Sequence, residues 1–361
     1  MLARYCRVAM PLMLMAGASC ALATGASAQS LKKITLVQMH PIMGIGEEIF
    51  LYAVPKRLGY FAAEGLEVDI QNSQTAMISA QVLQSNDAQV GTTAAAAIMA
   101  VREQNGDVIS FFNLKRNAGT FLVVLKDSPI QKLEDLKGKT IGAPSFGAGG
   151  GLGLKQNLSA IGITPDQYTG ISTGAGPSAI AALRTGKIDA LVVWDAMLGA
   201  AENTGLALRT VNIPLEDGQV GTTLATTASF AKSNTKDVAG YCRAMTKGLL
   251  FTVTNRAAAI RIFWQEFPIT KPVNLDDTIA LKNSVHIIDR FLEKALQDQP
   301  NGAPLGKFIA ENWQNTHSAF VKLGTLKGTE PANASYTEQF IAACNDFDHA
   351  AVVAQASEMP H

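Results

Sequence analysis

From residue 34 onward the hydrophobic pattern switches repeatedly between a period of two and a helical period, and each switch marks an element. Residues 34–38 read as a β-rich run that breaks at His40-Pro41 and a Gly44-x-Gly46 loop. Residues 47–58 read as a helix with acids in its first turn, where they favour the helix dipole; Pro55 kinks it or marks its late start. Residues 66–70 alternate as a half-buried strand. A helix over 75–83, a strand over 88–92, an Ala-rich helix over 94–103 and a strand over 108–114 follow. A second set begins with a strand at 121–125. It continues through a helical turn at 133–136, a strand at 139–142, helices over 151–161 and 178–184, and strands at 190–194 and near 208–213. One more strand, 224–228, precedes a mostly helical remainder: 237–253, 257–266, 276–296, 305–322 and 336–345. This alternation predicts α/β sheets with helices on both faces.

The two sets echo each other. Arg184-Thr185-Gly186-Lys187-Ile188-Asp189-Ala190 repeats the layout of Gln84-Ser85-Asn86-Asp87-Ala88-Gln89-Val90, a helix end turning into a buried strand. Two similar halves therefore stand in tandem, joined by short crossings. Ligands of open α/β sheets bind outside the carboxyl ends of the strands, which puts the site in a cleft between two lobes.

The stretch 133–153 (L-E-D-L-K-G-K-T-I-G-A-P-S-F-G-A-G-G-G-L-G) carries the first candidate chemistry. Its loop links a strand end to a helix start, where free backbone N–H groups and the positive end of the dipole suit an anion. Ser145 adds a hydroxyl, and glycines admit a ligand close to the backbone. Turn geometry alone is the competing reason for the glycines. Gly138-Lys139-Thr140 is not a phosphate cradle, because Leu133 stands where the first glycine is required; no G-x-G-x-x-G register fits either.

Composition narrows the partners. With 30 basic and 30 acidic residues among 361, nucleic acid is a poor partner and none is expected, and 47% hydrophobic content describes a folded globular chain with room for two cores. Residues 1–28 stand apart: Arg4 and Arg7, an apolar stretch over 8–23, and Ala26-Ser27-Ala28 form a secretory signal peptide with Gln29 as the expected mature N-terminus. Pro11, Gly17 and Ser19 break that stretch, against a retained membrane anchor, and Gly17 is a poor match for lipidation at Cys20. Cleavage leaves Cys242 and Cys344, either a pair in an oxidising compartment or two buried thiols. No C-x-x-C or H-E-x-x-H spacing occurs and the five histidines are scattered, so neither metal nor cofactor is expected.

Several runs are familiar in order. Gly59-Tyr60-Phe61 with Glu64-Gly65-Leu66-Glu67-Val68, Ser128-Pro129-Ile130 with Asp135-Leu136-Lys137-Gly138-Lys139-Thr140-Ile141-Gly142, and Leu183-Arg184-Thr185-Gly186-Lys187-Ile188-Asp189-Ala190 with Trp194-Asp195 resemble motifs of one family. It is the periplasmic substrate-binding proteins for sulfonates, nitrate and thiamine precursors. The resemblance, from about residue 34 to 228, implies a two-lobed type II periplasmic binding fold, each lobe a mainly parallel sheet flanked by helices, with a helical C-terminal region. It implies lobe one at 29–117, lobe two at 118–220, and 221–361 returning to lobe one. It implies a monomer without catalysis that delivers a small organic anion, a sulfonate or carboxylate and aromatic in one version, to an ABC-type permease. A heteroaromatic thiamine-precursor-like ligand is the alternative. An enzyme of the thiamine-pyrimidine synthase type is a further one, opposed by the absence of a cysteine-rich motif, and a receptor-coupled sensor remains open.

By position, the resemblance places Glu48, Phe50, Thr92, Thr93, Asn113, Ser145, Phe146, Gly147, Ala148, Gly149, Trp194 and Asp195 around the ligand. Phe50, Phe146 and Trp194 would face its apolar body. Glu47 and Glu48 bring carboxylates there, against a simple inorganic anion, unless they only serve the dipole. Trp194 as a core aromatic and Thr92-Thr93 as caps are the plainer readings. Asn86 and Gln89 depart from the Gly and Asp usual in the family's first-lobe turn, and Pro55 from its usual Ala.

Overall fold

Ten strands form two five-stranded mixed sheets in the computed structural model, which describes residues 30–147, 149–214, 218–297, 299–300 and 302–360. The signal stretch, Gln29 and Ala148 lie outside the described residues. The strands are β1 (Lys32–Gln38), β2 (Leu66–Asn72), β3 (Val90–Ala94), β4 (Val108–Asn113), β5 (Thr120–Leu125), β6 (Thr140–Ala143), β7 (Thr169–Ser172), β8 (Ala190–Trp194), β9 (Leu208–Val211) and β10 (Thr222–Thr227). The first sheet runs β2-β1-β3-β10-β4 and the second β7-β6-β8-β5-β9. In each, one strand lies antiparallel between its neighbours: β10 between β3 and β4, β5 between β8 and β9. Both are the strands that the chain enters on crossing from one sheet to the other.

The repeat seen in sequence is a repeat in geometry. Asn86 (φ 64°) and Gly186 (φ 68°) both take the left-handed conformation in the turn before the strand, a conformation asparagine tolerates better than most side chains. Gln89 then accepts the N–H of Thr35 in β1 at 2.8 Å, and Asp189 accepts that of Thr140 in β6 at 2.8 Å. The amide thus does the work of the carboxylate.

Alternating side chains build the cores. Leu122 and Val124 of β5 join one apolar cluster with Ile141, Leu154 and Leu158, while Val123 joins another with Leu183, Leu191 and Met197. The largest cluster, on one face of the first sheet, unites Ile34, Leu36, Phe50, Phe111, Tyr241, Phe263 and Phe291. Residues 49–53 form a π-helical turn, not regular helix, just before Pro55. Pro55 has no N–H for the carbonyl of Leu51, and the buried Tyr241 hydroxyl donates to that oxygen instead, at 3.2 Å.

Two crossing segments meet between the sheets. Leu114 and Lys115 both donate backbone N–H groups to the Thr222 carbonyl, and Ala118 donates to Gln219. Gly221 makes this approach possible: a Cβ there would sit 2.5 Å from the Asn117 carbonyl oxygen. The helix Asp277–Ala295 spans the same gap. Ile288, Phe291 and Leu292 anchor it in the first-sheet core. Its other side lies along the helix Asp195–Asn203 that follows β8, where Glu202 takes both Nε and Nη2 of Arg290 (2.9 and 3.0 Å) and meets His286 at 2.7 Å.

Cys242 and Cys344, both fully buried, form a disulfide with Cα atoms 4.9 Å apart, which settles the choice in favour of the pair. No helix among the described residues is long and apolar enough to cross a membrane. Two helix bounds need correction. Residues 305–309 and 336–340 are not helical; Tyr336 bridges to Ser110 instead, and the helices there are Ala310–Lys322 and Ile341–Cys344. The edge strand β7 is additional, and so is the helix Asp195–Asn203.

Candidate functional site

Both sheets point carboxyl ends at the crossing segments, and polar side chains collect there. β1 ends at Gln38, and the following loop carries His40, whose Nε2 lies 3.0 Å from Glu47 Oε1. Glu47 and Glu48 are buried at the start of the π-helical turn. From the crossing segment comes Lys115, and from the end of β8 come Trp194 and Asp195. Lys115 Nζ pairs with Asp195 Oδ2 at 2.5 Å, with side chains only 8% and 2% exposed. The same ammonium stands 4.3 Å from the centre of the Phe291 ring. The His40 and Trp194 rings stack across the gap, centroids 6.4 Å apart and 30° from parallel.

Each ionisation follows from its neighbours. Burial opposes charging of Glu47, but the charge of His40 and its hydrogen bond outweigh it and hold the carboxyl down at about 2. Burial likewise opposes charging of His40, yet Glu47 raises the imidazole to about 9. Glu48 has no such partner: burial first, then the adjacent Glu47 charge, push it up to about 8. At neutral pH a charged His40 therefore faces an ionised Glu47 while Glu48 stays protonated, and the Lys115–Asp195 pair lies beside them.

Among the expected site residues, Glu48, Trp194 and Asp195 come together. Thr92 and Thr93 are present at the end of β3 but engaged: Thr92 Oγ1 accepts the Met39 N–H at 3.1 Å, and Thr93 donates to the Ala76 carbonyl at 2.8 Å. Asn113 is held by the C-terminal segment, its backbone N–H on Gly306 and its amide on Lys307, with Oδ1 left without a partner among the described residues. Two aromatics take other places than the cleft wall expected of them. Phe50 is wholly buried against Phe291 at 5.6 Å. Phe146 packs back onto its own lobe, against Tyr168 and over Gly170, where a Cβ would touch the ring at 3.0 Å.

The glycine loop does lead into a helix, Gly149–Ala160. Ser145 Oγ accepts the Gly147 N–H at 3.2 Å. Close packing falls on Gly150 and Gly151, not on Gly147: a Cβ on Gly150 would meet Thr120 at 2.7 Å, and one on Gly151 the Ser145 carbonyl oxygen at 2.1 Å.

Sequence reasoning missed His40 and Lys115. The signal for His40 was its place directly after the first strand, seven residues before a buried glutamate. For Lys115 it was a lysine, followed by Arg116, just past the last strand before the crossing. An open groove of about 510 Å³ lies elsewhere, lined by Ala310, Glu311, Gln314 and Tyr336, and has no comparable ion cluster.

Comparison with known proteins comes to the same fold. The family model described as NMT1/THI5 like matches residues 48–259. Two curated relatives are both called 4-amino-5-hydroxymethyl-2-methylpyrimidine phosphate synthase. That of Schizosaccharomyces pombe is 31% identical over 116 residues, 32% of this chain and only 33% of its own length. That of Aspergillus parasiticus is 25% identical over 308 residues, 80% of this chain and 82% of its own. Among solved structures, the periplasmic aliphatic sulphonate binding protein SsuA from Escherichia coli is similar with a TM-score of 0.63 at 16% identity, over 85% of this chain and 92% of that one.

Proposed function

The chain belongs to the NMT1/THI5-like family, and on that premise we propose that it is a periplasmic solute-binding subunit that delivers a small organic acid to an ABC-type permease. The observation that carries this reading is the cleft itself. His40, Glu47 and Glu48 from the first sheet face Trp194 and Asp195 from the second, across two crossing segments that can act as a hinge. A ligand held by both sides is favoured only when the lobes close on it. That couples binding to a shape a permease can read. No chemical step is assigned to the cluster. The only thiols of the described chain are consumed in the disulfide, which leaves no cysteine nucleophile or ligand.

A second reading keeps the site and changes the ligand to a heteroaromatic thiamine precursor. The stacked His40 and Trp194 favour a flat ring, and a protonated Glu48 offers a donor beside an acceptor.

A thermal-shift screen of small sulfonates, carboxylates and aminopyrimidines tests both. Binding to the folded state alone stabilises it by about 2.7 kcal/mol at a hundredfold excess over Kd. Trp264 and Trp313 are buried in the cores, so the fluorescence change on binding should vanish in Trp194→Phe. A ligand that stabilises the protein but leaves its signal intact in Trp194→Phe places the site elsewhere.

A further inference from the structure

We propose that the cleft is built for a zwitterion: a small molecule whose acidic group binds Lys115 while its ammonium binds Asp195. The inference rests on the solute-binding reading and specifies its ligand class. Its basis is the pairing of charges. Lys115 and Asp195 face one another at 2.5 Å, and both are almost wholly removed from water. The other cation of the cluster, His40, is engaged by Glu47 at 3.0 Å.

A simple anion therefore meets no unmatched cation in this cluster. If it takes Lys115, Asp195 is left buried and unpaired, and breaking a buried pair by removing one partner is strongly unfavourable. A simple cation on Asp195 strands Lys115 in the same way. A zwitterion avoids both costs, because one internal pair is exchanged for two ligand pairs and every charge keeps a partner. The contact between Lys115 and Asp195 then stands in for the ligand: the lysine holds the place of its ammonium and the aspartate that of its acid. Neighbouring features agree. Asp195 opens a helix and accepts the Ala196 N–H at 2.8 Å, so the carboxylate stays fixed when the lysine turns away. Phe291 backs the ammonium at 4.3 Å and holds Lys115 in reach of the cleft.

The test uses matched trios at neutral pH: aminopropanesulfonate, propanesulfonate and propylamine, and their aromatic counterparts aminomethylbenzenesulfonate, benzenesulfonate and benzylamine. Affinities are read by titration calorimetry on the mature protein. The wild type should bind a zwitterion about tenfold or more tighter than either half-molecule, the effect of one charge-assisted hydrogen bond. Asp195→Asn should invert the preference, with the amine-free sulfonate gaining about tenfold, and Lys115→Gln should favour the amine. Where a single variant melts too early to be titrated, the doubly neutral Asp195→Asn/Lys115→Gln protein serves, and it should bind all three members of a trio alike. Equal or tighter binding of the amine-free sulfonate by the wild type, or a preference unchanged in the variants, overturns the zwitterion and leaves solute binding standing. Binding of no member of either trio by wild type or variants overturns this site for acids and amines altogether.

Discussion

Cutting the bond between Cys242 and Cys344 is the perturbation whose size the structure fixes best. The crosslink closes a loop with a sequence separation of 102, tying the helix Thr235–Thr254 to the short helix Ile341–Cys344. Releasing a loop of that length returns chain entropy to the unfolded state corresponding to about 4.7 kcal/mol at 25 °C. Unfolding entropy near 2.1 cal/mol/K per residue, over about 330 residues, amounts to roughly 0.7 kcal/mol/K, so the melting temperature should fall by about 7 °C. Both sulfurs are wholly buried, and Cys242→Ala/Cys344→Ala also leaves a small void, which adds to the loss. The assay is a thermal melt of wild type and double variant, each with and without reductant. Reduced wild type should melt near the variant, and the variant should ignore reductant. Two alkylatable thiols in denatured, unreduced protein, or a drop below about 2 °C, would refute the reasoning.

Two further outcomes follow from the charges. Glu48 is raised from an ordinary 4.5 to about 8, so its contribution to stability is full below 4.5 and is lost as pH rises to about 8; Glu48→Gln should flatten the melting temperature across that window, and an unchanged slope would show that the carboxyl is ionised in the fold. Glu202→Gln removes the charge that holds both Arg290 and His286, costs about 1 kcal/mol, and should speed hydrogen exchange in the helix Asp195–Asn203; unchanged exchange there would mean that the seam does not restrain the second lobe.

Much of this architecture is legible in the chain because burial imposes a clear period. β8 is apolar on both faces and reads as the short run 190–194; β4, Val108–Asn113, falls within the run read at 108–114. β7 escapes because Thr169-Gly170-Ile171-Ser172 lies at a sheet edge with all four residues exposed, so nothing in its composition reports its pairing with β6. The helix Asp195–Asn203 escapes for the opposite reason. It is covered by β8 and by the helix Asp277–Ala295, and its mixture of Met197, Leu198, Gly199 and Ala201 shows no single apolar stripe. The site divides in the same way. Trp194 and Asp195 could be placed because a motif spans the end of β8. His40 and Lys115 could not, since each acquires meaning from a partner, Glu47 just before a turn of unusual pitch and Asp195 from the other sheet. Phe50 and Phe146 were legible as aromatics, but only packing shows which way each ring turns.

The position of β10 bears on how the protein is made. It lies between β3 and β4, yet it is the last strand to be synthesised, after every strand of the second sheet. Once residues 120–211 have emerged, the second sheet has all five of its strands, while β3 and β4 each still wait with an open edge. The second lobe is thus the half that can mature first, as an uninterrupted stretch of chain. The first lobe is sealed only when β10 threads between its two waiting neighbours. Chains truncated before residue 222 should then show protection in the second sheet and none between β3 and β4. Protection of β3 against β4 in such chains would contradict this order.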